Sequence, residues 1–163
     1  MTRIALFPGV FDPLTLGHMD IVKRSPLICE KLIVAIAQNI SKTSLFTVEE
    51  RLAMLRAAVH EHPYVEIAAF SGLAIDYAKE RNVQFLLRGL RSYADFEHES
   101  QMAMANRRMS GLETVFFMAQ HSHISSTLIR EIAHFGGPLE GLVPKEVEPF
   151  LRKKFAYSDC FLA

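Results

Sequence analysis

The chain alternates short runs of consecutive apolar residues with longer stretches in which apolar positions recur every three or four residues. Residues 4–7, 32–37, 64–69, 83–87 and 113–118 read as five strands. These runs are nearly unbroken by polar residues, the pattern of a sheet covered on both faces. Between them the spacing predicts helices over about 17–30, 47–60, 71–81, 96–109 and from Ser125 or Ser126 to 135. Thr47 and Glu50 form a capping box, and Ser71 stands where it would cap the third helix. A last helix is expected over about 144–156, its start blurred by Pro149, with 157–163 as a loose tail. Strand–helix alternation of this kind predicts a single α/β domain over 1–163, built on a doubly wound, parallel, five-stranded sheet. In such sheets ligands bind beyond the carboxyl ends of the strands, so the residues following each apolar run carry the chemistry.

After the first run comes Pro8-Gly9-Val10-Phe11-Asp12-Pro13-Leu14-Thr15-Leu16-Gly17-His18, a tight loop that ends at a helix start. Free N–H groups and the positive end of a helix suit a phosphate there, and His18 adds an imidazole at the same spot. After the second run stands Lys42, and after the third Leu73 and Ala74. Taken alone, Lys42 reads as a solvated surface charge, and Leu73 and Ala74 as core. After the fourth, Arg88-Gly89-Leu90-Arg91 offers two guanidinium forks for phosphate oxygens. The three carboxylates that follow, Asp95, Glu97 and Glu99, read as a solvated helix face; Glu99 could instead orient an arginine or meet a nucleotide amine. After the fifth, His121-Ser122-His123-Ile124-Ser125-Ser126-Thr127-Leu128-Ile129-Arg130 opens a helix with three hydroxyls where capping needs one, again a phosphate-type start. His121 and His123 have a metal-like spacing but no third ligand near them in sequence, so a structural zinc is not expected.

Composition narrows the choice. The chain has 163 residues, half of them hydrophobic, enough to bury a core without disulfides. Eighteen basic and eighteen acidic residues cancel, which argues against a general nucleic-acid binder but not against a local phosphate pocket. Two cysteines, Cys29 and Cys160, form no framework and fit a reducing compartment. No apolar run is long enough to span a membrane, and the N-terminus is stopped by Pro8-Gly9 before it could serve as a signal peptide, so a cytoplasmic location is expected.

Two motifs, Thr15-Leu16-Gly17-His18 and Ile124-Ser125-Ser126-Thr127-Leu128-Ile129-Arg130, resemble the TxGH and ISSTxxR signatures of the nucleotidyltransferase superfamily. Pro8–Pro13, Ser41-Lys42, Phe46–Arg51, the run Arg88–Gln101 and Asn106-Arg107 resemble the bacterial phosphopantetheine adenylyltransferase branch, in order and over about residues 3–150. That resemblance implies a Rossmann-like fold and reversible adenylyl transfer from ATP to 4′-phosphopantetheine, giving dephospho-CoA and pyrophosphate, the penultimate step of coenzyme A synthesis. It implies His18 as the catalytic donor to the α-phosphate. ATP would be held by Val10, Phe11, His18, Gly89, Leu90, Arg91 and Glu99, and by His121, Ser122, His123, Ile124, Ser125, Ser126 and Thr127. The acceptor would be held by Val10, Lys42, Ala74 and Arg88, with Leu73 beside its arm. It further implies Mg²⁺ accompanying ATP without a dedicated protein metal site, and a homohexamer. Val10 departs from the family's usual Thr or Ser, the loop before Ile124 is about two residues short, and His121-Ser122-His123 replaces an aromatic-Ser-Phe step. The alternatives are a related nucleotidyltransferase for another phosphate acceptor, or a nucleotide-binding module that has lost turnover.

Overall fold

In the computed structural model, which describes residues 2–38 and 43–156, all five apolar runs become strands of one parallel sheet. They are β1 (Ile4–Gly9), β2 (Lys31–Gln38), β3 (Val65–Ser71), β4 (Phe85–Leu90) and β5 (Glu113–Met118), in the order β3-β2-β1-β4-β5. The helices are α1 (Leu16–Arg24), α2 (Val48–Val59), α3 (Ala74–Glu80), α4 (Tyr93–Ser110), α5 (Ser126–His134) and α6 (Glu148–Lys154). Alternation along the strands sends Ala5, Phe7, Leu32 and Val34 to one face, against buried residues of α1, α2, α5 and α6. Leu6, Ile33, Ala35 and Leu86 face the other way, toward Ile75 and Ala78 of α3. The result is the doubly wound, Rossmann-like architecture that the alternation predicts.

Several boundaries differ from the sequence expectation, each for a local reason. The first helix ends at Arg24 instead of running to 30. Pro26 cannot donate an N–H, Ser25 Oγ donates instead to the Val22 carbonyl at 2.8 Å, and a 3₁₀ turn (Ser25–Leu27) follows. Ser71 does not cap a helix. It pairs with Gln38 at the end of β3, Gly72 turns the chain at φ 84°, and Leu73 takes the N-cap position of α3 without a side-chain bond. Pairing with β5 carries β4 on to Leu90, so Arg88 and Gly89 lie within the strand and not after it. Ser92, accepting from Asp95 N at 3.2 Å, starts α4 three residues before the predicted 96. The last helix is shorter than 144–156, because residues 144–147 form a turn that precedes α6.

Strand register opens the crevice. β1 pairs with β2 from Ile4 through Gly9, whereas its pairing with β4 is confined to Ala5↔Phe85 and Leu6↔Leu86. Beyond those pairs the two central strands separate, while β4 continues along β5 to Leu90↔Met118. The winding direction reverses between β1 and β4, which is where an open α/β sheet places its ligand crevice.

Candidate active site

Two cavities meet at that opening. The first, about 490 Å³, lies beneath the N-termini of α1 and α5 and is walled by Arg88, Arg91 and Arg130. The second, about 410 Å³, is flanked by Leu73, Ala74, Phe70 and Met102. They share Pro8, Gly9, Val10, Arg88 and Glu99. One polar and one apolar chamber thus join along the end of β1 and the middle of β4.

Two glycines border the crevice closely. A Cβ at Gly89 would lie 2.3 Å from Ile21 Cδ1, so a larger residue there would have to displace the tip of that buried side chain. A Cβ at Gly9 would stand 2.8 Å from the Phe11 ring. That ring is buried, with Phe11 at φ 51°, and its edge meets the His18 imidazole at 5.0 Å between centroids.

His18 occupies the N3 position of α1 and closes an unusual capping box. Thr15 Oγ1 accepts from His18 N at 3.2 Å, and His18 Nδ1 accepts from Thr15 N at 3.1 Å, the place a glutamate normally takes. An Nδ1 that accepts a backbone N–H carries no proton, so the neutral ring bears its proton on Nε2. Burial, with Arg91 and Arg88 nearby, pushes the His18 pKa down to about 4. At neutral pH His18 is therefore an uncharged Nε2–H donor of set orientation.

The arginines are already held. Arg88 Nε and Nη2 bind the two Glu99 carboxylate oxygens at 2.8 and 2.5 Å, and Nη1 donates to the Pro8 carbonyl at 2.5 Å. Glu99 thereby takes the first of the two roles its position suggested. Arg91 Nε meets Asp95 at 3.2 Å, and its Nη1 reaches the Ile124 carbonyl at 3.4 Å. Arg130 Nη1 donates to the Asp12 carbonyl at 2.5 Å. Each cavity arginine thus faces a carboxylate, and the described residues offer an incoming polyanion little net positive charge. Among the described residues no group of three or more His, Cys, Asp or Glu side chains could hold a metal ion.

The three hydroxyls at α5 are not equivalent. Ser125 Oγ caps Leu128 N at 3.1 Å, Ser126 Oγ donates to the Pro13 carbonyl at 2.9 Å, and Thr127 Oγ1 accepts from Arg130 at 3.3 Å. The apparent surplus over capping therefore includes a bolt between α5 and the loop after β1.

The first cavity brings together Val10, Phe11, His18, Arg88, Gly89, Arg91 and Glu99 from the sequence expectation, with Ile124, Ser125, Ser126 and Thr127. Leu90 is buried and does not line it, and His121, Ser122 and His123 lie beside it without lining it. Leu73 and Ala74 line the second cavity. Lys42 lies outside the described residues. Sequence reasoning did not single out Asp12, Thr15, Asp95, Thr43 or Ser44 as part of the first cavity. Only Thr15 carried a local signal, as an N-cap residue three positions before His18. Arg130, the last residue of the second motif, sits one turn along the helix face from Ser126, a spacing from which its place in the site could have been read. In the second cavity the Thr114 hydroxyl is buried without a hydrogen-bond partner.

A cytidylyltransferase-like family model matches residues 6–132. The phosphopantetheine adenylyltransferase of Carboxydothermus hydrogenoformans is 48% identical over 161 residues, covering 97% of this chain and 99% of that protein. The protein of the same name from Clostridium botulinum (strain Hall) is 43% identical over 155 residues, covering 93% of this chain and 94% of its own. The chain therefore belongs to the cytidylyltransferase-like family and, within it, to the phosphopantetheine adenylyltransferases.

Proposed function

We propose that this chain carries out the reaction its family name describes, moving the adenylyl group of ATP onto the phosphate of 4′-phosphopantetheine and releasing pyrophosphate. The observation that carries the reading is the junction of the two cavities. A polar chamber suited to a triphosphate meets an apolar one suited to an extended thiol-bearing arm, and His18 and Arg88 line the polar side of the junction.

In the reaction an oxygen of the acceptor phosphate attacks the α-phosphorus, and the bond from that phosphorus to the bridging oxygen of pyrophosphate breaks. The acceptor oxygen is already anionic, so no base is required. Catalysis rests on positioning and on donors aimed at the developing charge. His18 Nε2–H and the N-terminus of α1 serve the α-phosphate. Arg91 and the start of α5 hold the β- and γ-phosphates, and Arg88 with Lys42 holds the acceptor phosphate. Among the described residues Asp95 and Glu99 are paired with arginines, and Asp12 accepts the Leu45 and Phe46 amides beside Arg130. Mg²⁺ would arrive on the phosphates of ATP and provide positive charge that the paired arginines do not.

The direct test mixes the protein with MgATP and 4′-phosphopantetheine and follows pyrophosphate and dephospho-CoA. Turnover only with a different phosphate acceptor would move the chain to another branch of the superfamily, and none with any acceptor would leave a binding module. Val10 gives a finer test. It borders both cavities, is 37% exposed, and has no hydroxyl to donate. Val10→Thr is expected to raise kcat/KM roughly tenfold, equal to about 1.4 kcal/mol, by restoring one bond to a charged oxygen. An unchanged or lower kcat/KM in steady-state kinetics would show that the loop needs no hydroxyl there.

The family resemblance adds a homohexamer in the cytoplasm. No helix among the described residues is long and apolar enough to cross a membrane. Helix α4 has no buried residue, and its Tyr93, Phe96, Met104 and Met109 are exposed, as is Met118 of β5. Exposed apolar groups of this extent favour a covering partner, here further copies of the chain. Sedimentation velocity should give a hexamer, and a monomer at micromolar concentration would contradict it.

A further inference from the structure

We propose that Asp12 is a positioning residue for phosphate binding, holding Thr43 and Ser44 in the wall of the polar cavity so that their hydroxyls meet a phosphate of the bound substrates. The inference rests on the reading of that cavity as a phosphate site. Asp12 is only 5% exposed, yet it lines a chamber meant for polyanions, where a carboxylate repels the ligand unless it does something that offsets this. Its bonds show what it does. Oδ2 accepts from Leu45 N at 2.8 Å and Oδ1 from Phe46 N at 3.0 Å, more than thirty residues along the chain. The guanidinium of Arg130, 3.5 Å from Oδ2, offsets its charge.

The clamp acts on a short lever. Phe46 is 2% exposed and precedes Thr47, the N-cap of α2, so the downstream end of the segment is anchored in the core. The upstream neighbours, Thr43 and Ser44, line the same cavity as Val10 and His18. Ser44 is thus bonded directly to a clamped residue and Thr43 is one residue further, so neither hydroxyl can move far from where the clamp holds the chain. Both residues border a chamber in which the Val10 side chain offers no donor. Only an acceptor-only group can serve both amides, since the amide of an asparagine would accept from one and turn its NH₂ toward the other.

Calorimetry with phosphopantetheine, MgATP and inorganic pyrophosphate, each alone, reads this out, together with steady-state kinetics. Asp12→Asn should weaken at least one phosphate ligand by roughly tenfold, while kcat at saturation stays within about threefold. Thr43→Val/Ser44→Ala should weaken the same ligand by a similar factor, with no fall in Tm. In the triple variant the losses should not add, because Asp12 acts through the two hydroxyls. Weakening of phosphopantetheine alone assigns the hydroxyls to the acceptor phosphate, and weakening of ATP and pyrophosphate assigns them to the polyphosphate. Two results would overturn the proposal: unchanged affinity for all three ligands in the hydroxyl variant, or a full additional Asp12→Asn loss in its background. If Asp12→Asn does not fold, the hydroxyl variant decides alone. Pyrophosphate binding does not depend on the acceptor, so a wild-type protein that binds it but makes no dephospho-CoA would sink the functional reading and leave this test intact.

Discussion

His18→Ala is expected to lower kcat by roughly 10²–10³, the scale for losing one preoriented donor to charge that develops in the transition state. ATP affinity should fall far less, because the contact strengthens as the α-phosphate becomes five-coordinate. The size follows from the ring's environment. Nδ1 is occupied by the Thr15 amide, so Nε2–H points its single proton at the cavity, and no rotation or tautomer exchange is needed at the moment of reaction. His18→Asn would offer a donor of shorter reach without the Thr15 latch and should recover little.

The same environment sets the pH behaviour. The His18 pKa in the folded protein, about 4, lies below its ordinary value of 6.5. As pH falls, the unfolded chain takes up this proton first. The histidine therefore costs no stability above about pH 6.5 and opposes folding progressively between there and pH 4. Activity governed by His18 should stay level as pH drops through 6.5. A fall in kcat centred on 6.5 in the wild type, absent from His18→Ala, would show that the ring titrates as an ordinary histidine and that the neutral-donor assignment is wrong.

Arg88→Ala should produce the next largest loss, and a different one from Arg91→Ala. Arg88 touches both cavities, and its removal should weaken phosphopantetheine on the order of 10–100-fold, the range for a charged hydrogen bond. It also strands Glu99, whose side chain is 16% exposed, which should lower stability by roughly 2 kcal/mol once partial solvation is allowed for. Arg91 pairs with Asp95 at a more open position, its side chain 44% exposed, so Arg91→Ala should mainly impair ATP use with a smaller effect on stability. Arg88→Lys should not rescue, since one ammonium cannot grip two carboxylate oxygens and the Pro8 carbonyl together. Calorimetry with each ligand and thermal unfolding of each variant would check this. Equal loss of both ligands in both variants would remove the division between the arginines.

Much of this was legible along the chain, because local rules decided it. Five apolar runs separated by helical patterns determine a parallel sheet, since each run can be buried only by covering both faces. The Thr47–Glu50 capping box and the helix start at Ser125 are decided within four residues and stand where the sequence put them. The Gly17-His18 helix start and the Arg88–Arg91 cluster were visible for the same reason, as residue types poorly suited to packing that come where an apolar run ends. What the sequence could not determine depends on groups far apart in the chain. The length of β4 was decided by its partner β5, and that placed Arg88 inside the strand. Asp12 reads as a loop residue until the fold brings the Leu45 and Phe46 amides and Arg130 around it. Glu99 had two open roles until α4 laid it against Arg88. The charge state of His18 likewise belongs to the tertiary structure. A motif puts the imidazole at a helix start, but only burial beside two arginines makes it a neutral donor.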